Sequence, residues 1–366
     1  MNNRKLAILG LLAVVIVVLA VAVDKVTHRG PQGSGTGGYL IEGMDPAKIA
    51  RIEISGGESD VVLVRGNGGF VVETKGGYPA KTSEVNNLLT RSMDIALAEK
   101  ITSDEKNYAD LGVSEEEAST IVKFITEDGS LLTGIVIGEA VEGGEGKYVR
   151  LLNGEDVFVS LGSPWINKNA IGYVEQTLVS AEKDNIESVA VNAGDESYRI
   201  VRKDNNEIGL STVPEGKEVK EDELDKVFNA ATSIRFDDVL REVEGVSFND
   251  KFVVRMEDST VYRFDIGRKD DAVYGKVTAE FTDTEPVTMT KGVQVDEEEL
   301  KQKEAKLVAR DKAQAFAAKN EDWIFEIPSY KADNMTKPLS DLLEDKAVEE
   351  ESGDEADQPA EAEAAA

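Results

Sequence analysis

Residues 120–160 read TIVKFITEDGSLLTGIVIGEAVEGGEGKYVRLLNGEDVFVS. Apolar runs at 120–126, 131–138, 147–152 and 156–160 are short, rich in β-branched residues, and bounded by turn chemistry. Asp128-Gly129 and Asn153-Gly154 lie between such runs. Glycine takes positive φ without a Cβ clash, so these pairs predict hairpins. The expectation is four antiparallel strands in one meander. A similar pattern returns at 252–257, 261–267 and 274–281, with a turn at Asp258-Ser259. Both copies carry an Ile-Gly pair, Ile137-Gly138 and Ile266-Gly267, then a polar loop and a tyrosine, Tyr148 or Tyr274.

Working outward, strands are expected at 50–56, 60–65 and 69–74, then a helix over 84–95 capped by Thr82 or Ser83. Its apolar stripe is Val85, Leu88, Leu89 and Ile95, with Ser92 in the same row. Strands at 186–192, 197–203 and 208–212 and a helix over 222–234 repeat this order. The second stripe is Leu224, Val227, Phe228, Ala231 and Ile234. Each of its positions lies 139 beyond one in the first. The sequence therefore predicts an α+β protein of two tandem repeats, each an antiparallel sheet with covering helices. A helix is also expected over 168–179, and another at 339–343. Between the strands at 274–281 and 323–327 the second copy carries an insertion, 296–320, that reads as one long charged helix. Its thin stripe is Leu300, Leu307, Val308, Ala315 and Phe316. Two readings stand: a solvated helix packed on the body, or a projecting arm that binds a partner through Leu307 and Phe316.

The chain has 366 residues, 41 Lys+Arg and 71 Asp+Glu, for a net charge of −30. That balance speaks against nucleic acid, whose phosphates need clustered cations. With no cysteine there is neither disulfide nor thiolate chemistry. The only histidine, His28, falls near the N-terminus, so serine-histidine triads and histidine-based zinc sites are not expected in the body.

Leu6 to Val23 is an 18-residue run with no charged or polar side chain. It approaches the length needed to cross a hydrocarbon core of ~30 Å as a helix. Arg4 and Lys5 before it predict a cytoplasmic N-terminus and an exported body. Ala20-Val21-Ala22 also has the spacing of a signal-peptide cleavage site, but the length of the run favours an uncleaved anchor. The expected division is an anchor 1–24, a Gly-rich linker 25–43, repeat 1 over 44–180, repeat 2 over 181–343, and a disordered acidic tail 344–366.

No catalytic, cofactor or metal residues are assigned. Asp237-Asp238 and Asp270-Asp271 are adjacent acids, which a strand sends to opposite faces, so neither makes an acid–base pair. A weak Ca²⁺ site at Asp270-Asp271 is the alternative to a solvated turn. Tyr148, Trp165 and Tyr330 are the aromatic candidates for a ligand groove or partner contact, and core or corner packing is the plain reading of each.

The order of short motifs resembles a known family. They are the opening from Asp45 to Ile54, Tyr78-Pro79-Ala80, Tyr108-Ala109-Asp110-Leu111-Gly112, Ile137-Gly138 and Gly146-Lys147-Tyr148-Val149-Arg150. Together they resemble the bacterial family known as domain of unknown function 4340, from about residue 40 to 178 and more loosely beyond. The resemblance implies a membrane-anchored envelope protein, in some members associated with ABC-type transport or gliding motility, and carries over no catalytic residues. The expected function is a non-catalytic extracytoplasmic binding or scaffold role at the bacterial inner membrane, with a protein partner in the envelope. The alternatives are an envelope glycan or small-ligand binder and a carboxylate-dependent hydrolase.

Overall fold

The computed structural model describes residues 37–56, 60–203, 205–286 and 297–346, which divide into unit 1, ending at Glu175, and unit 2, beginning at Gln176. In unit 1, β1 (Arg51–Ser55), β2 (Val61–Gly66), β3 (Gly69–Val72) and β4 (Tyr78–Pro79) form a meander that leads into α1 (Thr82–Met93). There follow β5 (Leu97–Thr102), β6 (Thr120–Ile125), β7 (Leu131–Ala140), β8 (Lys147–Leu151) and β9 (Val157–Ser160). The nine strands make one antiparallel sheet, ordered β4-β3-β2-β1-β6-β7-β8-β9-β5. The hairpin between β6 and β7 closes as its sequence dictates. Gly129 takes φ +84°, and the Asp128 carboxylate accepts from the Ser130 amide at 3.0 Å and the Thr126 hydroxyl.

Both faces of this sheet are covered. Ile52, Val122, Phe124 and Ile135 are buried on one face of the central strands, where Ile52 sits opposite Phe124 and Val122 opposite Ile135. On the other face Ile121, Val136 and Val157 pack with Tyr108 and Val113, from the segment that leads into β6. Double coverage explains why 134–138 of β7 is a continuous buried run and not an alternation.

In unit 2, β10 (Thr177–Ser180) is followed by β11 (Ile186–Ala193), β12 (Glu196–Arg202), β13 (Ile208–Leu210) and β14 (Lys217–Val219). Next come α2 (Glu221–Ala230), β15 (Ser233–Arg235), β16 (Asp238–Leu240), β17 (Phe248–Met256), β18 (Thr260–Lys269) and β19 (Ala272–Phe281). The chain closes with α3 (Glu297–Asn320), β20 (Ile324–Glu326), α4 (Ser329–Met335) and β21 (Leu343–Asp345). The main sheet is ordered β13-β12-β11-β17-β18-β19-β20-β16. Without β4, the sheet of unit 1 has the same order with each strand in the corresponding place. The two helix stripes agree as well. All ten positions of the two stripes are buried, although Ile95 lies just past α1 and Ala231 and Ile234 just past α2.

Several expectations are corrected. The boundary falls after Glu175, not after residue 180, because β10 pairs with β15 of unit 2. Residues 168–179 are not a helix. Asn169 caps a single 3₁₀ turn, Ala170–Tyr173, and Thr177-Leu178-Val179, with its β-branched residues, goes into β10. Residues 339–343 are likewise one 3₁₀ turn followed by a strand. The linker ends earlier than 43, since Leu40 and Ile41 are buried. The tail starts later than 344, since Glu344 and Asp345 belong to β21, where Lys217 reaches Asp345 at 2.7 Å. The expected anchor 1–24, residues 25–36 of the linker and residues 347–366 of the tail lie outside the described residues. Among the described residues no helix is long and apolar enough to cross a membrane.

Candidate functional site

The motifs of unit 1 converge on one place. The turn Tyr108-Ala109-Asp110-Leu111-Gly112 lies across β7 at Gly138, where the Glu139 amide donates to the Leu111 carbonyl at 3.2 Å. A Cβ on Gly138 would meet the Leu111 carbonyl oxygen head-on and stand 2.7 Å from that of Gly112, so only glycine admits the crossing. Gly112 takes φ +61° to leave it. Arg150, 6% exposed on β8, pins the same segment. Its Nε donates to the Val113 carbonyl at 2.7 Å, and Nη1 to those of Leu151 and Leu152 at 3.1 and 2.9 Å. Its guanidinium lies 4.8 Å from the centroid of the Tyr108 ring, whose hydroxyl donates to the Glu155 carbonyl at 2.6 Å. A planar fork with five donors suits this task as an ammonium does not.

Unit 2 repeats the arrangement with other residues. A Cβ on Gly267 would stand 2.5 Å from the Ser247 carbonyl oxygen. Lys276 is as far from Tyr274 as Arg150 is from Tyr148, and its ammonium lies 4.7 Å from the Phe248 ring. These constellations clamp a crossing segment to a sheet. In unit 1 the polar groups of Arg150 and Tyr108 are spent on backbone carbonyls, whereas in unit 2 Lys276 is exposed and meets the Phe248 ring.

The five residues singled out from sequence are divided between the two units, Tyr148 and Trp165 in unit 1 and the other three in unit 2. Tyr148 is half-buried against the cluster around Tyr108 and Val113. Trp165 is 60% exposed, with the Arg91 guanidinium 5.2 Å from its ring centroid. The two edge a shallow cleft of ≈ 580 Å³ that also touches Ile95, Leu161 and Pro164. Tyr330, Leu307 and Phe316 belong to unit 2. Tyr330 is 70% exposed in the first turn of α4.

Leu307 and Phe316 are half-buried on α3, which lies over β18 and β19. The helix is packed and does not project. Its buried face is Ala309, Ala313 and Asn320, flanked by Phe316, whose ring meets that of Tyr262 edge-on at 5.1 Å. Alanines let a helix approach a sheet closely, so the buried face runs through them, and Leu300 and Val308 of the expected stripe are exposed.

Asp270 sits in the β18–β19 turn at φ +53°. Among the described residues no three potential ligands gather as a metal would need. Lys226 and Lys337 hold the Glu223 carboxyl down to about 2 by hydrogen bonds. The Lys306 ammonium, 2.6 Å away, lowers Asp283, and Lys217 lowers Asp345. A general acid needs the opposite shift.

Fold and site define a duplicated α+β protein whose recurrent motifs are structural clamps. The family model described as Domain of unknown function (DUF4340) matches residues 71–252, from β3 of unit 1 into β17 of unit 2, and the chain belongs to that family. No curated protein and no solved structure matches the chain.

Proposed function

We propose that this chain is a single-pass membrane protein whose two sheet units stand outside the bacterial inner membrane as a non-catalytic binding or scaffold body. The observation that carries this reading is the apolar run Leu6 to Val23, led by Arg4 and Lys5 and followed by a Gly-rich stretch that leads to Leu40 and Ile41, the first buried ones among the described residues. The non-catalytic part is supported by where the motif side chains are used. Arg150 and Tyr108 bond to backbone, and the lowered carboxyls are paired with surface lysines. A role beside an ABC-type envelope transporter rests on the family resemblance alone.

Protease added to intact spheroplasts tests the topology, and crosslinking in living cells followed by mass spectrometry tests the role. The proposal expects digestion of the body and crosslinks to a membrane transport component. A protected body refutes the topology. Turnover abolished by changing one carboxylate refutes the non-catalytic reading. A second reading, an envelope glycan binder, is favoured by the exposed rings of Trp165 and Tyr330, since sugars stack on open aromatic faces. Retention of the protein on peptidoglycan, lost in Trp165→Ala or Tyr330→Ala, would select it.

A further inference from the structure

Among the described residues unit 1 exposes four large apolar side chains, Tyr39, Ile101, Leu161 and Trp165. Tyr39, Leu161 and Trp165 gather where the chain enters β5, and Ile101 lies toward the other end of that strand. Ile101 lies on the edge strand β5. Just ahead of β5, Ala96 bridges to Tyr39, and its carbonyl accepts from the Leu161 amide at 2.7 Å. Trp165 shares a cleft with Ile95 and Leu161, and Arg91 lies over its ring. Scattered apolar side chains on a surface need no account, but a cluster of this kind marks a contact.

The same end receives the N-terminal part of the chain. The Leu40 amide donates to the Ile95 carbonyl at 2.8 Å, and the Gly38 carbonyl accepts from the Leu97 amide at 2.9 Å. Only residues 24–38 separate this point from the end of the apolar run at Val23. A Gly-rich stretch of that length has an r.m.s. reach of about 20 Å, and fully extended it spans roughly 50 Å. If the apolar run is an anchor, the β5 end is the part of unit 1 tied closest to the bilayer.

The side chains there suit that neighbour. Tryptophan and tyrosine have an apolar body and a polar tip and settle at headgroup depth, and arginine can reach phosphate oxygens from the same plane. Arg91 and Asp94 are the charged residues that line the cleft, and they leave it without the strong negative charge of the whole chain. We infer that the β5 end of unit 1 docks on the headgroup layer of the membrane, with Trp165 and Tyr39 seated at the interface and Arg91 toward the lipid phosphates. The inference rests on the anchored reading proposed above.

The test uses the full chain in phosphatidylcholine vesicles. Trp165 and the buried Trp323 are the only tryptophans, so the emission that Trp165→Phe removes belongs to Trp165. That component should be blue-shifted and should lose most of its intensity when the lipid is brominated high on its acyl chains, while the remaining Trp323 emission stays unquenched. Arg91→Glu should reduce the quenching while the protein still floats with the vesicles. Three results overturn the inference. Failure to co-float removes the anchored reading and this docking with it. Co-flotation with Trp165 unquenched and water-like leaves the anchor standing and removes the docking. Trp165 shielded from water but untouched by brominated lipid, with crosslinks between copies through Leu161, assigns the patch to a second copy.

Discussion

Replacing Ser92 by alanine should stabilise unit 1, although the residue is fully buried. Ser92 lies in the last turn of α1 with no exposed surface, and its Oγ has no hydrogen-bond partner. A buried hydroxyl without a partner costs about 1–3 kcal/mol, and alanine is the better helix former by roughly 0.5 kcal/mol. Against these stands the small void left by one oxygen, a loss of about 1 kcal/mol at most. The expected net gain is about 1–2 kcal/mol. The molecule supplies its own control. The corresponding position in unit 2 is Ala231, also fully buried, so Ala231→Ser should cost unit 2 a similar amount. Each unit holds one tryptophan, Trp165 beside Arg91 of α1 and Trp323 in unit 2, so urea unfolding of variants keeping a single tryptophan follows the units separately. With a slope of about 2 kcal/mol/M, Ser92→Ala should raise the midpoint of unit 1 by about 0.5–1 M and leave unit 2 in place. A fall of more than about 0.5 kcal/mol would refute the reasoning, because it would mean that the hydroxyl is satisfied in solution.

Gly138→Ala should destabilise unit 1 by about 2–4 kcal/mol, since the new methyl collides with backbone and breaks the Glu139–Leu111 bond, whereas Gly68→Ala, whose Cβ meets open space, should stay within about 0.5 kcal/mol of the parent in the same urea titration. Arg150→Met takes the guanidinium donor from the carbonyls of Val113 and Leu152, and one of two donors from that of Leu151, which keeps the Gly154 amide. It should cost about 2–3 kcal/mol and speed hydrogen exchange in peptides covering 108–118 before those covering β1 and β2. Glu223 is held at about 2 in the folded chain, below its ordinary 4.5, so its contribution is complete above about 4.5 and is lost as the pH falls from there toward 2. Acid titration of the Trp323 signal should show unit 2 weakening over that window, and Glu223→Gln should flatten the dependence.

The sheet meander could be read from residues because its signals are local. Asp128-Gly129 sets a turn within four residues, and the β-branched runs either side have no better local conformation. The duplication was legible for a related reason. Two helices that bury the same stripe must repeat its spacing, and the constant offset of 139 between Val85 and Leu224 and their successors records it. The strands missed were the short or edge ones. Leu97–Thr102 carries Glu99 and Lys100 and becomes β5 only because β9 offers it a ladder. Ser233–Arg235 and Leu343–Asp345 are three-residue strands that exist because β10 and β14 lie opposite them.

The clamp was half legible. Gly138 and Arg150 stood out as motif residues, but no spacing in the chain says that the turn at 108–112 crosses β7, since that contact joins residues nearly thirty apart through the sheet. Periodicity likewise established that 297–320 is a helix. Which of its faces is buried depended on the surface of β18 and β19, which takes Ala309 and Ala313 more closely than any leucine would allow. The sequence alone determined the turns and strands of the meanders, the repeat and the apolar N-terminal run, because each is decided by neighbours along the chain. The tertiary structure alone decided which glycines are obligatory, what Arg150 holds, and that Tyr39, Leu161 and Trp165 share one end of a sheet. Those follow from contacts between segments whose separation in sequence carries no physical information about their distance in space.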